Sequence, residues 1–323
     1  MRASNFSRRR FLQTTSALTG LAGIAQAQTQ TLSGFKEFRK GIHLVLLGTM
    51  AGPVLHPSRM MASQVLFVDG RGYLVDCGYG TLQRMTQIGI RPPEISASFI
   101  THHHSDHNAD YASLVNMAWI LGLRTPMRVM GPPPMLRIHQ AALALQREDI
   151  DIRIQATGRE AIEKSFNVSE ITQAGLVFED ERVKVRAAKV DHAPFPLALG
   201  YRFDMAATSI AFSGDTAMGD SVVELAQGAH TLVHEAMYLP GIDAMLAKRP
   251  YVPPFLKNFL VNGHTTAEDA GRVAAKAGVK RLVLTHLLPG DEPISDDVWR
   301  NEAAKHFAGE IVVARDNMVI GLT

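Results

Sequence analysis

Residues 101–107 read THHHSDH, which places His102, His104, Asp106 and His107 in an H-x-H-x-D-H pattern. Imidazole and carboxylate together suit zinc and similar divalent ions. The i, i+2 spacing requires a loop or extended segment, because those positions point apart on a helix. His103 falls between two ligand positions and reads as an ordinary loop histidine that faces away. These four groups are too few for a two-metal site. Three further residues stand where an apolar run stops: His192 after VKVRAAKV, Asp215 after SIAFSG, and His286 after RLVLT. A lone histidine after a strand is ordinarily a polar turn residue. Three such residues beside a complete H-x-H-x-D-H suggest a site assembled from strand ends.

The elements that must present them are legible as a pattern. IHLVLLG (42–48), QVLFV (64–68) and GYLVDCG (72–78) are short β-branched apolar runs between turns, and so predict strands. Next come a helix at GTLQRMTQIG, strand ASFITH, helix ADYASLVNMAWILGL, strand MRVMG and helix PPMLRIHQAALALQRE. The second half opens on strands LVFED, VKVRAAKV, ALGYRFDM and TSIAFSGD. It continues with a helix over 219–227, strand TLVHEA, helix TAEDAGRVAAKAG, strand RLVLTHL, helix DDVWRNEAAKHF and a last strand, EIVVARD. Two halves, each β-rich and then α/β, predict two sheets face to face with helices outside, in one catalytic domain.

The chain has 323 residues, 46% of them hydrophobic, enough for a sizeable core. Its one cysteine, Cys77, excludes an internal disulfide framework and reads as a small buried hydrophobe. SRRRFLQ, the apolar run ALTGLAGIA and the small-residue AQA together predict a cleaved twin-arginine export signal over residues 1–27, too short to span a membrane, and hence a periplasmic or extracellular protein. The remaining domain is 28–323. Residues 1–27 hold four arginines and no acid, so the remainder carries 29 Lys and Arg against 31 Asp and Glu, a net of −2 with His neutral. That balance shows no bias toward nucleic acid or anionic membrane.

The ordered segments LVLLGTMAGP, LVDCGYGT, THHHSDH, DHAPFPLALGYRF, FSGDT, HEA, GHTT and LTHL resemble the metallo-β-lactamase fold, in its ribonuclease Z and arylsulfatase-like branch, over nearly the whole mature chain. The resemblance implies an α/β fold, a four-layer αββα sandwich, with two divalent metal ions: zinc, with manganese or iron(II) left open. It implies that His102, His104 and His192 hold one ion, that Asp106, His107 and His286 hold the other, and that Asp215 bridges them. Asp76 would orient a ligand histidine, and His234 would be a supporting or structural neighbour. A hydroxide between the metals is the implied nucleophile. His264 would be the proton donor or oxyanion stabiliser, with Glu235 orienting it, and Asp106 counts with them as catalytic. The alternative for His264 is a structural turn residue capping the helix that follows.

His192 and Asp215 lie only 23 positions apart, where ribonuclease Z usually inserts a long RNA-gripping arm, and THLLPGD lacks that family's usual continuation. These departures, with export and the absent basic bias, lead to the expectation of a small-molecule substrate, a sulfate or phosphodiester ester, and of no nucleic acid or membrane anchor. A ribonuclease Z-like phosphodiesterase, a lactonase and a non-catalytic metal-binding protein are the alternatives. Relatives are often dimers, so a homodimer is compatible. The segment 236–263, with Tyr238, Tyr251, Phe255 and Phe259, reads either as a lid whose aromatics wall the site or as helix packed on the core. His56 and Arg59, in the loop after the first strand, are candidates to touch an anionic substrate. His43, His139, His230 and His306 lack partners and read as surface or core residues.

Overall fold

The apolar runs pair into two seven-stranded sheets. In the computed structural model, which describes residues 37–322, all of the architecture below belongs to one compact unit beginning at Phe38. The export segment 1–27 lies outside the described residues. The first sheet has the order β14-β1-β2-β3-β4-β5-β6. Its members are β1 (Ile42–Gly48), β2 (Ser63–Val68), β3 (Arg71–Val75), β4 (Ile95–Phe99), β5 (Met127–Gly131), β6 (Phe166–Glu170) and β14 (Met318–Gly321). The second has the order β13-β12-β11-β10-β9-β8-β7. It comprises β7 (Gly175–Glu179), β8 (Val183–Val190), β9 (Ala198–Met205), β10 (Ser209–Phe212), β11 (Thr231–Met237), β12 (Arg281–Leu288) and β13 (Glu310–Val313). Ten helices accompany them: α1 (Thr81–Gln87), α2 (Ser105–Asn108), α3 (Tyr111–Ile120), α4 (Met135–Leu145), α5 (Arg147–Thr157), α6 (Asp220–Ala226), α7 (Leu239–Ala247), α8 (Leu256–Gly263), α9 (Ala267–Ala277) and α10 (Asp296–Ala304).

The expected sandwich of two sheets with helices outside is the observed one. Strand alternation sends one set of side chains between the sheets and the other toward the helices. Leu44, Leu66, Tyr73, Val75, Phe99, Val185, Tyr201, Phe203, Phe212 and Val283 share the inter-sheet core. Phe99 meets Phe178, Tyr201 and Phe203 edge-on at centroid distances of 5.6, 5.4 and 5.1 Å, geometries worth about 1 kcal/mol each beyond the area buried. Leu232, Leu282 and Leu284 instead pack on Ala270, Val273 and Ala274 of α9.

The two sheets are joined beside the ligand loop as well as through the core. Tyr201 donates its hydroxyl to the Ile100 carbonyl at 2.7 Å, and the Leu199 amide donates to Thr101 at 2.9 Å. Both acceptors lie in the segment that follows β4.

The pattern missed β6, α5 and β14. Each carries a weak signature: β6 (FNVSE) is polar at alternate positions, and α5 (REDIDIRIQAT) buries only Ile150. Predicted strands also ran too long. β3 stops at Val75 and β4 at Phe99, because Asp76 takes a left-handed conformation (φ 60°) and the chain after Ile100 must turn toward the site.

Candidate metal centre

The seven ligand candidates converge at the ends of strands drawn from both sheets. After β4, residues 100–104 are irregular, so His102 and His104 alternate with His103. His103 faces away and donates from Nε2 to the Pro132 carbonyl at 2.8 Å. Asp106 and His107 follow on α2, a single turn that the sequence pattern did not predict. His192 lies just after β8. Asp215 lies three residues beyond β10, past Gly214 (φ 62°). A side chain at Gly214 would also press its Cβ to 2.7 Å from the Leu199 carbonyl, so glycine is required there.

His286 is placed differently from expectation. β12 does not end before it but continues to Leu288. Its pairing with β11 skips from Glu235–Thr285 to Ala236–Leu287, leaving His286 as the extra residue of a bulge at φ 44°. The bulge turns its ring toward the site without ending the strand.

Three overlapping donor groups result: His102, His104, His192 and Asp215; Asp106, His107 and His286; and Asp215, Glu235, His264 and His286. Ring nitrogens face one another: His102 Nε2 and His192 Nε2 lie 3.0 and 3.2 Å from His104 Nδ1. His107 Nε2 and His286 Nε2 are 3.3 Å apart. Asp215 Oδ2 stands 3.2 Å from both of these and 3.8 Å from His102 Nε2. Asp106 Oδ2 lies 3.3 Å from His286 and 3.6 Å from His107, and accepts the Gly52 amide at 2.8 Å.

The opposite ring nitrogens are held in place. His107 Nδ1 meets Asp76 Oδ2 at 2.8 Å, His192 Nδ1 donates to the Gly263 carbonyl at 2.7 Å, and His102 Nδ1 lies 3.1 Å from Thr101 Oγ1. Asp76 in turn accepts the Thr101 amide at 2.8 Å and hydroxyl at 3.0 Å. Such partners orient ligand imidazoles. Thr101 and Gly263 went unrecognised in the sequence, because their contribution is a hydroxyl beside two rings and a backbone carbonyl, which leave no motif.

The electrostatics fit a divalent cation. Burial, and then the neighbouring His107, holds His102 well below its ordinary range. Burial and His192 bring His104 to about 4, so these rings present neutral lone pairs. Burial opposes charge on His107, yet Asp215, Asp76 and Asp106 together hold it well above its usual value. Three carboxylates thus stabilise a positive charge at that position. Burial would also raise Asp215, but His286 and His107 outweigh it and keep it ionised. Imidazole with carboxylate is the donor set of zinc and related divalent ions.

Glu235 and His264, both buried, form a hydrogen-bonded pair beside Asp215 and His286. His264 Nδ1 is 2.7 Å from Glu235 Oε2, and Glu235 Oε1 accepts the Thr216 amide at 2.6 Å. Both Glu235 oxygens are thus engaged, Oε2 by His264 and Oε1 by the Thr216 amide. Burial, then Asp215, pushes the Glu235 carboxyl well up, while burial pushes His264 down. The cap of α9 is Thr266, whose hydroxyl accepts the Asp269 amide at 3.0 Å, so His264 is not the capping residue. His234 belongs to no donor group. Alternation on β11 puts Glu235 with Val233 between the sheets and His234 with Leu232 toward the helices, where its Nδ1 donates to the Glu235 carbonyl at 2.8 Å.

Segment 236–263 holds two helices with different roles. Ile242 and Met245 of α7 are buried against Ala51, Met237 and Leu288. Tyr251 and Phe255 are 80% and 68% exposed. On α8, Phe259 comes within 6.4 Å of the His104 ring, and Phe195 approaches that ring from the β8–β9 loop at 4.5 Å. Phe195 was within the DHAPFPL segment but carried no assignment. Arg59 turns inward to Thr49 Oγ1 (2.7 Å) and the Ala314 carbonyl (3.1 Å), away from any substrate role. His56 accepts from the Ser58 amide at 3.2 Å. Cys77 is buried, as expected.

The fold and the donor set define a metal-dependent hydrolase of ester bonds, and residues 71–287 match the family model described as a β-lactamase superfamily domain; the chain belongs to that family. Its curated relatives include the ribonuclease Z of Mycobacterium bovis (strain BCG / Pasteur), 31% identical over 278 residues that span 85% of this chain and 96% of the relative. That of Mycobacterium marinum is 33% identical, with the same coverages. Among solved structures, the metallo-β-lactamase fold protein YhfI of Bacillus subtilis superposes with TM-score 0.64 at 20% identity, covering 86% of this chain and 98% of that one. The short form of human tRNase Z gives 0.60 at 24%, covering 87% and 99%. At those identities the two structures establish the fold.

These relatives overturn the expectation of a small sulfate or phosphodiester ester as substrate, and with it the exclusion of nucleic acid. The short span from His192 to Asp215 carried that expectation. It does not set this chain apart from relatives that it matches over 96% of their length. The span is filled economically: β8 and β9 pair along eight residues, and a tight turn leads to β10. Net charge was misleading for a physical reason, since it averages over a surface and is blind to local positive concavities.

Proposed function

We propose that this protein is a two-metal phosphodiesterase of the ribonuclease Z type, acting on RNA. The observation that carries it is Asp215 Oδ2, placed within 3.2 Å of His107 and His286 and 3.8 Å of His102, where two donor groups meet. His102, His104 and His192 would hold one ion, Asp106, His107 and His286 the other, and Asp215 would touch both. When bound, two divalent ions supply Lewis acidity at the phosphoryl oxygen and a nucleophile at neutral pH.

The remaining chemistry belongs to the chain. Glu235 Oε2 meets His264 Nδ1 at 2.7 Å and orients the ring, leaving Nε2 as its free nitrogen. Nε2–H can bond the oxygen that leaves phosphorus and pass it a proton. Asp76 and Thr101 hold the His107 and His102 rings, and the Gly263 carbonyl holds His192. Phe195 and Phe259 offer flat apolar faces beside His104, on which bases flanking the scissile phosphate can stack.

The test is incubation of zinc- and manganese-loaded protein with a precursor-tRNA transcript bearing a 3′ trailer. Cleavage at one site near the trailer junction, lost in Asp215→Ala, is expected. An intact transcript under both metals refutes the reading.

A further inference from the structure

At the other end of the first sheet, a cavity of about 550 Å³ opens among Arg71, Arg91, Arg124, Arg128, Phe178 and Asp180. We infer that it docks the phosphate backbone of an RNA strand at a point remote from the scissile bond. The inference rests on the ribonuclease reading for its ligand, but its geometry is independent of the metal centre.

Four guanidinium groups line the cavity against one carboxylate. That carboxylate is already engaged: Asp180 accepts the Tyr73 hydroxyl at 2.7 Å and pairs with Arg71 at 3.3 Å, and Arg71 also pairs with Glu181 at 2.8 Å. Arg91 lies 3.8 Å from Glu94. Arg124 and Arg128 have no carboxylate partner among the described residues; Arg128 lies over the Phe178 ring at 4.3 Å, which fixes its guanidinium plane. Arg124 and Arg128 thus remain as two unpaired guanidinium groups in one concavity, on residues 28–323 that carry a net charge of −2. Guanidinium matches phosphate oxygens in pairs, and a cavity of this size holds a nucleotide unit rather than a bare phosphate. Pro93, Leu121 and Pro126 supply apolar lining for its sugar or base.

The cavity takes Ile95 and Ser96 from the start of β4, whereas His102 follows that strand's end. The strand from Ile95 to Phe99 alone, four steps at about 3.3 Å, puts the two sites more than about 13 Å apart. An RNA that engages both must be several nucleotides long or folded.

The probe is a labelled precursor-tRNA transcript, bound to the metal-free full chain and followed by fluorescence anisotropy over a salt series. Arg124→Gln/Arg128→Gln should bind about tenfold more weakly, with a log–log salt slope shallower by about 1.5. Arg124→Lys/Arg128→Lys should keep the slope. Metal-loaded turnover of bis(4-nitrophenyl) phosphate should be unchanged in both, which also reports that the variants fold. Equal affinity and slope in the glutamine variant overturn the site, as does an absence of RNA binding by the wild type. Arginine-dependent binding of inorganic tripolyphosphate without arginine-dependent RNA binding overturns the RNA assignment. Arginine-dependent RNA binding by a protein that does not cleave the transcript upholds the site while the nuclease reading fails.

Discussion

Asp215 bears on both donor groups with one carboxylate, and its loss separates them. Asp215→Ala is expected to reduce bound metal from about two ions to one or none and to lower turnover by more than about 100-fold, read by elemental analysis and activity with circular dichroism confirming the fold. Full activity in the folded variant removes its bridging role. His264 acts on the leaving group, so His264→Ala should lower kcat by about 10²- to 10⁴-fold for an alkoxide leaving group, and far less for a nitrophenolate that needs no proton. Uniform slowing across the series contradicts an acid role. His234 affects stability instead. Burial brings it to about 4, whereas an unfolded histidine takes its proton near 6.5. The unfolded state therefore binds more protons below that value, and stability present above pH 6.5 is lost as pH falls toward 4. Between pH 7 and pH 5 the metal-free wild type should lose about 2 kcal/mol that His234→Leu does not, measured by urea unfolding at the two pH values.

Among the elements, β12 and the α7–α8 pair decide the most. The bulge in β12 lets a strand buried from Leu282 to Leu288 turn one histidine toward the donor cluster and then resume pairing at Leu287. The α7–α8 segment divides its labour. Its buried residues anchor it, and Phe259 comes within 6.4 Å of the His104 ring. Phe259→Ala should raise KM for RNA about tenfold through lost stacking, with turnover of bis(4-nitrophenyl) phosphate unchanged in steady-state assays. An unaltered KM for RNA contradicts the stacking role. The same segment delivers the Gly263 carbonyl to His192, which ties the position of α8 to that of a ligand ring.

At the scale of the molecule, the centre draws His102, His104, Asp106 and His107 from the first sheet and His192, Asp215 and His286 from the second. Ions bound there bridge the sheets and favour the folded state by about 2.7 kcal/mol each at a hundredfold excess over Kd. Chelation should lower the calorimetric midpoint by several degrees, with recovery on adding zinc. An unchanged midpoint would mean that metal does not join the halves.

The seven candidate donors and the two sheets were legible in the sequence by itself, because each rests on a local pattern: the i, i+2 histidines, apolar runs of period two, and polar residues at run ends; the order of the strands was not, since β6 and β14 carry weak patterns and pair with neighbours distant in sequence. Asp76 and the Glu235–His264 pair were legible through resemblance. The bulge that aims His286, the turn of helix under Asp106, and the support given by Thr101 and Gly263 were decided by tertiary structure alone. They depend on backbone register and on carbonyls that any residue carries, so residue types do not record them. The arginine cavity belongs with these. Arg71, Arg91, Arg124 and Arg128 are spread over 58 positions of sequence, and only the pairing of β3, β4 and β5 brings their charges to one wall.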